Sequence, residues 1–240
     1  MSGNIRTRWT RCVFRSGKGA YEERFDGPAG AGKSTIAKLV AEKLSFVYVD
    51  TGAMFRTMAY YFLSNGIDTS DEKAVNASCD DIEIRIAYEE GEQHIFLKDK
   101  DVSAEIRQEE IGKNASVVAK YGKIRTRLLN LQRKMAESSD VIMDGRDIGT
   151  VVLPDAEVKI FLTAAAHARA ERRCRDLQEK GIACDLKEIE QDILARDEED
   201  MNREIAPLKQ ADDAIYLDTS DMTIPEVVAK IIEITEGKRV

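Results

Sequence analysis

The stretch from Gly27 to Thr35 constrains the fold more than any other part of this chain. It reads Gly-Pro-Ala-Gly-Ala-Gly-Lys-Ser-Thr, which fits the spacing G-x-x-x-x-G-K-[ST] of a phosphate-binding loop. Its glycines let the backbone curl towards an anion without a Cβ in the way. The apolar spacing after the loop predicts a helix from Ser34 to Leu44, whose N-terminal amides add to the anion site. We therefore predict a nucleotide site in which Lys33 reaches the β- and γ-phosphates and the Ser34 hydroxyl ligates Mg²⁺.

Strand and helix patterns alternate along the rest of the chain. Phe46 to Val49 reads as a buried strand, and a helical pattern follows from about 53 to 64. Further strands are predicted at 141–143, 158–162 and 215–217, and further helices at 165–180, 186–203 and 224–236. Successive strand–loop–helix units are typical of a parallel α/β sheet, whose ligands bind beyond the carboxyl ends of the strands. This rule places Thr51 and Arg56 close to the phosphate loop.

The stretch from about 78 to 105 has a different periodicity. Ile82, Ile84 and Ile86 alternate with polar residues, which is typical of a half-buried strand. Further short strands are predicted at 95–97 and 99–102, and antiparallel hairpins inside an α/β chain indicate a small insertion. A helical pattern then runs from about 103 to 137, with a break expected near Gly112 or Gly122.

These patterns divide the chain into a core and two additions. We assign the core to 26–77 and 138–240, and the insertion with its flanking helices to 78–137. The basic helix at 165–180 carries Arg169, Arg172, Arg173 and Arg175 and is followed by Gly181. Such a run usually forms a solvated face; the alternative is a mobile lid at about 165–185.

Composition excludes several classes of protein. The net charge of −8 argues against broad nucleic-acid binding, and no apolar run approaches the length of a membrane span. The cysteines at 12, 79, 174 and 184 are scattered, so we expect reduced cytosolic thiols rather than a disulfide or zinc framework. The histidines, His94 and His167, are expected at the surface.

Charged residues gather where the strand at 141–143 ends. Asp144, Arg146 and Asp147 follow it directly, which is costly unless they meet a ligand or each other. Arginine recurs at the ends of other elements, at 56, 125, 169, 172, 173, 196 and 203. Phosphoryl transfer between two nucleotides requires such charges, because two sets of phosphates repel and the transferring group must be stabilised. The chain has neither the N/T-K-x-D motif of switch GTPases nor an apolar strand ending in Asp-Glu.

These motifs together resemble those of bacterial-type cytidylate kinases. The resemblance rests on the segments 26–35, 50–56, 144–150, 154–156, 177–181 and 196–203. It implies a three-layer α/β/α P-loop kinase fold with a central parallel five-stranded sheet, a small antiparallel β insertion that binds CMP, and a helical lid. It also implies ATP with Mg²⁺ as donor, CMP or dCMP as acceptor, a monomer, and a cytoplasmic location.

The resemblance assigns roles to particular residues. ATP is expected along Gly27, Pro28, Ala29, Gly30, Ala31, Gly32, Lys33, Ser34 and Thr35. CMP is expected to meet Thr51, Arg56, Ser116, Arg125, Arg146, Asp147, Arg196, Asp200 and Arg203. Among these, Ser116, Arg125 and Asp147 should read the cytosine, and Arg196 and Asp200 should hold the ribose. Catalysis is assigned to Lys33, Asp144, Arg146, Arg172 and Arg173, acting by positioning and charge neutralisation.

Residues 1–25 depart from the family pattern. The segment is rich in arginine and has no acid before Glu22, so it reads as a disordered tail, an added leader or an organelle transit peptide. Glu22, Glu23 and Arg24 occupy the place of an apolar strand, and side chains that alternate faces cannot all avoid the core. We expect either a strand with its charges at the ends and a weakened phosphate loop, or, preferably, a segment that is not the natural start.

Two other functions stay open at this stage. The chain could be a kinase for another nucleoside monophosphate, which the combination of Ser116, Arg125 and Asp147 disfavours. It could also be a nucleotide-binding protein whose catalysis is impaired by the charged segment before its phosphate loop.

Overall fold

The computed structural model describes residues 21–89 and 92–238. The strands are β1 (Glu22–Asp26), β2 (Val47–Asp50), β3 (Ile84–Glu89), β4 (Glu92–Leu97), β5 (Lys100–Asp101), β6 (Val141–Gly145), β7 (Val158–Thr163) and β8 (Ile215–Asp218). The helices are α1 (Lys33–Leu44), α2 (Thr51–Ser64), α3 (Glu72–Ser78), α4 (Glu109–Val118), α5 (Gly122–Ser138), α6 (Ala166–Glu179), α7 (Leu186–Asn202) and α8 (Ile224–Lys238).

A parallel sheet of five strands forms the centre of the fold, in the order β2-β6-β1-β7-β8. Helices α1 and α8 cover one face, where Ile36, Val40 and Ile231 pack on the strands. Helix α5 and a turn of π-helix, Ile148–Val152, cover the other face. The predicted three-layer α/β/α architecture is therefore confirmed.

The antiparallel insertion is also confirmed, as a sheet of order β3-β4-β5. Its Ile95 is buried with residues of α2, α4 and α5 in one cluster, so the small sheet packs on helices and does not stand alone. The helical pattern predicted for 103–137 breaks between α4 and α5, directly before Gly122. Gly112 lies inside α4, so the alternative break point was wrong.

The charged strand β1 is wholly inside the central sheet. It pairs with β6 on one side and β7 on the other, and Glu23 and Arg24 have no exposed surface. The expectation that its charges would sit at the strand ends is therefore wrong. Arg24 bonds to Glu22 at 2.8 Å, and the Thr235 hydroxyl donates to Glu23.

Burial of Arg24 is only partly compensated. Its Nε and Nη1 have no hydrogen-bond partner in the part of the chain that the structure describes. Removal from water lowers the pKa of Arg24 to about 10, against the opposing effect of Glu22. Of the N-terminal segment, residues 1–20 lie outside the described residues, so the proposed tail, leader or transit peptide stays a prediction.

Candidate nucleotide site

A cleft of about 1000 Å³ opens at the carboxyl ends of the central strands. It is lined by the phosphate loop, by the start of α2, by the end of β6 and by parts of α4, α5, α6 and α7. Its position follows the rule that ligands of open α/β sheets bind beyond the strands' carboxyl ends. All the residues predicted to bind ATP or CMP, except Gly27 and Pro28, line this one cleft.

The phosphate loop presents open backbone amides. Gly30 and Gly32 adopt left-handed φ values of 74° and 83°, a conformation that glycine reaches at little cost. Helix α1 begins after Gly32 with no side-chain cap, so its first N–H groups remain available to an anion. Gly27 admits no side chain, because a Cβ there would come within 1.9 Å of the Leu162 carbonyl oxygen.

Lys33 is folded back over its own loop. Its Nζ donates to the carbonyl oxygen of Pro28 at 2.6 Å, and the side chain is buried. Burial, with the nearby Arg146 cation, lowers the pKa of Lys33 well below its usual range. A phosphate group in the loop would compensate for both effects, since it supplies the missing negative charge.

Asp144 links the phosphate loop to the ends of β2 and α2. Its carboxylate accepts from the Ser34 hydroxyl at 2.6 Å and from the Tyr48 hydroxyl at 3.1 Å. The Thr51 hydroxyl donates to the Asp144 carbonyl oxygen at 2.7 Å. Burial, and then the nearby Asp50, raise the pKa of Asp144 to about 6. Burial therefore outweighs the effect of the nearby Lys33 cation on this carboxylate. Together with the Ser34 hydroxyl, it offers the oxygen ligands that Mg²⁺ prefers.

The part of the cleft away from the phosphate loop carries several guanidinium groups. Arg56 bonds to Asp50 at 2.8 Å, and Arg146 bonds to Asp200 at 2.9 Å. Arg203 lies 3.6 Å from Asp200. Burial, and then the nearby Arg146 cation, lower the pKa of Arg196. Because like charges held close together favour an anionic ligand, this group is suited to a phosphate.

Arg125 and Asp147 form a hydrogen-bonded ion pair beside these arginines. Arg125 also donates to the carbonyl oxygen of Ala119 at 3.0 Å, and its guanidinium lies 5.4 Å from the ring centre of Phe55. The Ser116 hydroxyl donates to the Gly112 carbonyl oxygen at 3.4 Å on the same cleft wall. The three residues predicted to read a base are therefore brought together, although their contact with a nucleotide stays a prediction.

The sequence matches the family model of cytidylate kinase over residues 24–237. The chain belongs to the cytidylate kinase family. It is 55% identical to the cytidylate kinase of Lactobacillus johnsonii over 214 residues, which cover 89% of this chain and 93% of that protein. It is 49% identical to the cytidylate kinase of Leuconostoc mesenteroides over 217 residues, covering 90% and 97%. The protein is therefore a nucleoside-monophosphate kinase.

One solved structure shows a more distant likeness. Shikimate kinase from Acinetobacter baumannii, in complex with shikimate, aligns with a TM-score of 0.45 at 15% identity, covering 92% of this chain and 96% of that one. At this distance the likeness adds nothing to the cytidylate kinase assignment. The family match begins at Arg24, inside β1.

The basic helix of this family member, α6, lies along one side of the cleft. Arg172 donates to the Thr219 carbonyl oxygen at 2.6 Å, so it is bound to the loop after β8, and Arg173 lines the cleft. Cys174 on α6 is joined to Cys184 by a disulfide, with their Cα atoms 5.7 Å apart. The expectation of reduced thiols is therefore wrong for this pair.

Among the described residues, Cys79, His94 and His167 do not line the cleft. Cys79 is a free, buried thiol, and Cys12 lies outside the described residues. His167 is exposed and pairs with Glu190 at 3.0 Å. His94 is half-buried and pairs with Asp101 at 2.8 Å.

Arg169 supports the phosphate loop, a role that sequence reasoning missed. The side chain is buried, and its Nη1 donates to the carbonyl oxygen of Ala29 at 2.9 Å. Its Nη2 bonds to Asp197 on α7 at 2.6 Å. Arg169 therefore ties α6 and α7 to the loop. Its place among the neighbouring arginines of the sequence gave no sign that it alone turns inward.

Asp26, which directly precedes the phosphate loop, ties the end of β1 to the turn of π-helix at Ile148–Val152, and this role too was missed. Its carboxylate accepts from the backbone N–H groups of Ile148 and Gly149 at 2.7 and 2.6 Å. Burial raises the pKa of Asp26 to about 6 against these bonds. The only sequence signal was an acid directly before the first glycine of the loop.

Neither a preformed metal cage nor a membrane span is found where the structure describes the chain. Over residues 21–89 and 92–238, no group of three or more His, Cys, Asp or Glu side chains is placed to hold a metal ion. No helix in those ranges combines the length and apolarity needed to cross a bilayer.

Proposed function

We propose that the protein transfers the γ-phosphoryl group of ATP to CMP or dCMP, giving ADP and CDP or dCDP. The family assignment supports the class of reaction. The observation that carries the residue assignment is the single cleft that joins an uncapped phosphate loop, a group of arginines and the Arg125–Asp147 pair. Transfer is in line, from the phosphate loop to an acceptor oxygen on the arginine side.

The donor half holds ATP along the loop from Gly27 to Thr35. Lys33 leaves the Pro28 carbonyl, to which it donates at 2.6 Å, and bridges the β- and γ-phosphates. Asp144 and the Ser34 hydroxyl, 2.6 Å apart, fit Mg²⁺ because a buried carboxylate with a raised pKa gains from a cation. When bound, Mg²⁺ supplies charge neutralisation on the ATP phosphates.

The acceptor half orients CMP. Arg56, Arg146 and Arg203 take its phosphate, whose charge offsets the repulsion among their guanidinium groups. The attacking phosphate oxygen is already anionic, so no side chain has to act as a strong base. Rate acceleration then comes from orientation and from stabilising the charge on the transferring group.

The nucleoside is held by a second set of contacts. Asp147 accepts from the cytosine amine, while Arg125 and Ser116 donate to its acceptor groups, which discriminates against bases without that pattern. Asp200 and Arg196 hold the ribose hydroxyls. Thr51, whose hydroxyl donates to the Asp144 carbonyl oxygen, links this acceptor set to the donor half.

The segment at about 165–185 acts as the lid on the core 26–77 and 138–240, and 78–137 is the acceptor-binding insertion. Arg172 and Arg173 come from the lid to the transferring group, and closure keeps water from accepting it. We place the protein in the cytoplasm and expect a monomer, in line with the family resemblance.

A coupled ADP-release assay with ATP, Mg²⁺ and a panel of CMP, dCMP, UMP and AMP tests the proposal. CMP and dCMP should give the highest kcat/KM. Equal or faster turnover of UMP or AMP would refute the base-reading assignment. A second function, ATP binding without turnover, is favoured by the buried charges of Glu23 and Arg24 beside the phosphate loop. Calorimetric ATP binding with no ADP release would establish it.

A further inference from the structure

Strand β2 stands at one edge of the central sheet. In a parallel ladder, alternate residues turn their backbone groups towards the neighbouring strand. The Val47 N–H donates to the Asp140 carbonyl oxygen on the β6 side. The backbone N–H and C=O groups of Tyr48 and Asp50 therefore point to the open edge of the sheet. Unpaired edge groups of this kind are usually covered or charged in native proteins.

Two side chains of the inserted hairpin cover that edge. The Tyr88 hydroxyl donates to the Tyr48 carbonyl oxygen at 2.8 Å. The Gln93 side-chain oxygen accepts from the Asp50 N–H at 2.9 Å. Tyr88 on β3 and Gln93 on β4 are directly paired in the hairpin register. Both side chains therefore reach the C-terminal part of β2 from the same place in the insertion.

The end of β2 controls where an acceptor arginine lies. The Asp50 carboxylate accepts from the Ala53 N–H at 2.8 Å and so caps the start of α2. The same carboxylate bonds to Arg56 at 2.8 Å. The side chain of Arg56 is 29% exposed and lines the cleft, so part of its guanidinium can still reach an anion bound there. Tyr48 is anchored separately, by its hydroxyl on Asp144.

We propose that Tyr88 and Gln93 are positioning residues for the acceptor phosphate. Gln93 holds the Asp50 N–H, and Tyr88 holds the Tyr48 carbonyl oxygen two residues earlier on the same strand. Asp50 in turn holds Arg56 in the cleft. The inference rests on the proposed function, because it takes Arg56 to be a ligand of the acceptor phosphate. Neither side chain lines the cleft itself, so neither is a catalytic residue.

The test compares Tyr88→Phe, which removes one hydroxyl, and Gln93→Leu, which removes one acceptor at similar volume. Each should raise KM for CMP by roughly three- to tenfold, the effect of losing one net hydrogen bond. The kcat and the KM for ATP should change by less than about twofold, because Arg56 holds the acceptor equally in ground and transition states. Tyr216→Phe is the matched control, since Tyr216 lies on the opposite edge strand and is 56% exposed.

An independent measurement follows the contact itself. In Gln93→Leu the Asp50 amide should exchange its hydrogen faster than in the unmodified protein, while amides of β8 should be unchanged. An unchanged KM for CMP in both variants, or a fall in kcat with KM unchanged, would overturn the positioning role. If the unmodified protein neither binds CMP by calorimetry nor turns it over, the proposed function fails instead, and this inference fails with it.

Discussion

Replacing the buried arginine of β1 should stabilise the protein. Arg24→Met keeps a long side chain but removes a guanidinium that has no exposed surface and two nitrogens without a partner among the described residues. Burial lowers the pKa of Arg24 from 12.5 to about 10. Each unit by which the pKa is lowered corresponds to roughly 1.4 kcal/mol. Burying the charged guanidinium therefore lowers the free energy of unfolding by about 3 kcal/mol.

The sign of this effect follows from the direction of the pKa change. The folded protein disfavours the charged guanidinium, so the cost is fully present at any pH below about 10. Part of the stability gained by the substitution is lost, because Glu22, which is bonded to Arg24 at 2.8 Å, loses its partner. Glu22 is partly exposed and can be solvated, which leaves a net gain of roughly 1–3 kcal/mol. A chain of this size should then melt about 2–12 °C higher.

The matched control is Lys159→Met on the neighbouring strand, in register with Arg24. Lys159 is similarly buried, but its Nζ donates to the Pro154 carbonyl oxygen at 2.5 Å and to Asp213 at 2.6 Å. Removing a satisfied cation should leave Tm unchanged or lower it. Calorimetric melting at neutral pH compares the variants. A Tm for Arg24→Met at or below that of the unmodified protein would refute the reasoning, as would equal gains in both variants.

Three further predictions concern the cleft. Lys33→Ala should lower kcat at saturating ATP and CMP by well over tenfold, because its contact is strongest in the transition state; a smaller loss counts against that role. Asp147→Asn should raise KM for CMP and leave KM for ATP nearly unchanged, whereas equal effects on both would move Asp147 out of the acceptor site. Hydrogen exchange across 165–185 should slow when both nucleotides bind. The same exchange rate with and without nucleotides would instead indicate that the basic helix in this segment is a solvated face.

Local sequence patterns were enough to predict the main strands and helices of the fold. The loop from Gly27 to Thr35 and the helix after it depend on glycine spacing and on apolar periodicity, which act over a few residues. The strand at 141–143 and the insertion's alternating Ile82, Ile84 and Ile86 were readable for the same reason. The observed β3 begins at Ile84, because an alternating pattern sets which face a residue takes and not where pairing starts.

The sequence predicted which residues form the candidate site, but it did not predict which of them contact each other. Arg125 and Asp147 were predicted together, and the structure joins them. Arg169, Asp26, Tyr88 and Gln93 were missed, because their partners are distant in sequence and no local spacing identifies them. A buried arginine and a solvated one look alike until the neighbouring elements are in place.

By itself the sequence determined the pattern of a phosphate-binding glycine-rich loop, the parallel α/β core, and the resemblance to cytidylate kinases. Only the tertiary structure decided that Glu23 and Arg24 are buried at the centre of that sheet and that Cys174 pairs with Cys184. The physical reason is that burial and pairing depend on which elements become neighbours. The pairing of β1 with β6 on one side and β7 on the other offsets the cost of burying its charges, because a central strand directs its backbone N–H and C=O groups to partners on its two sides.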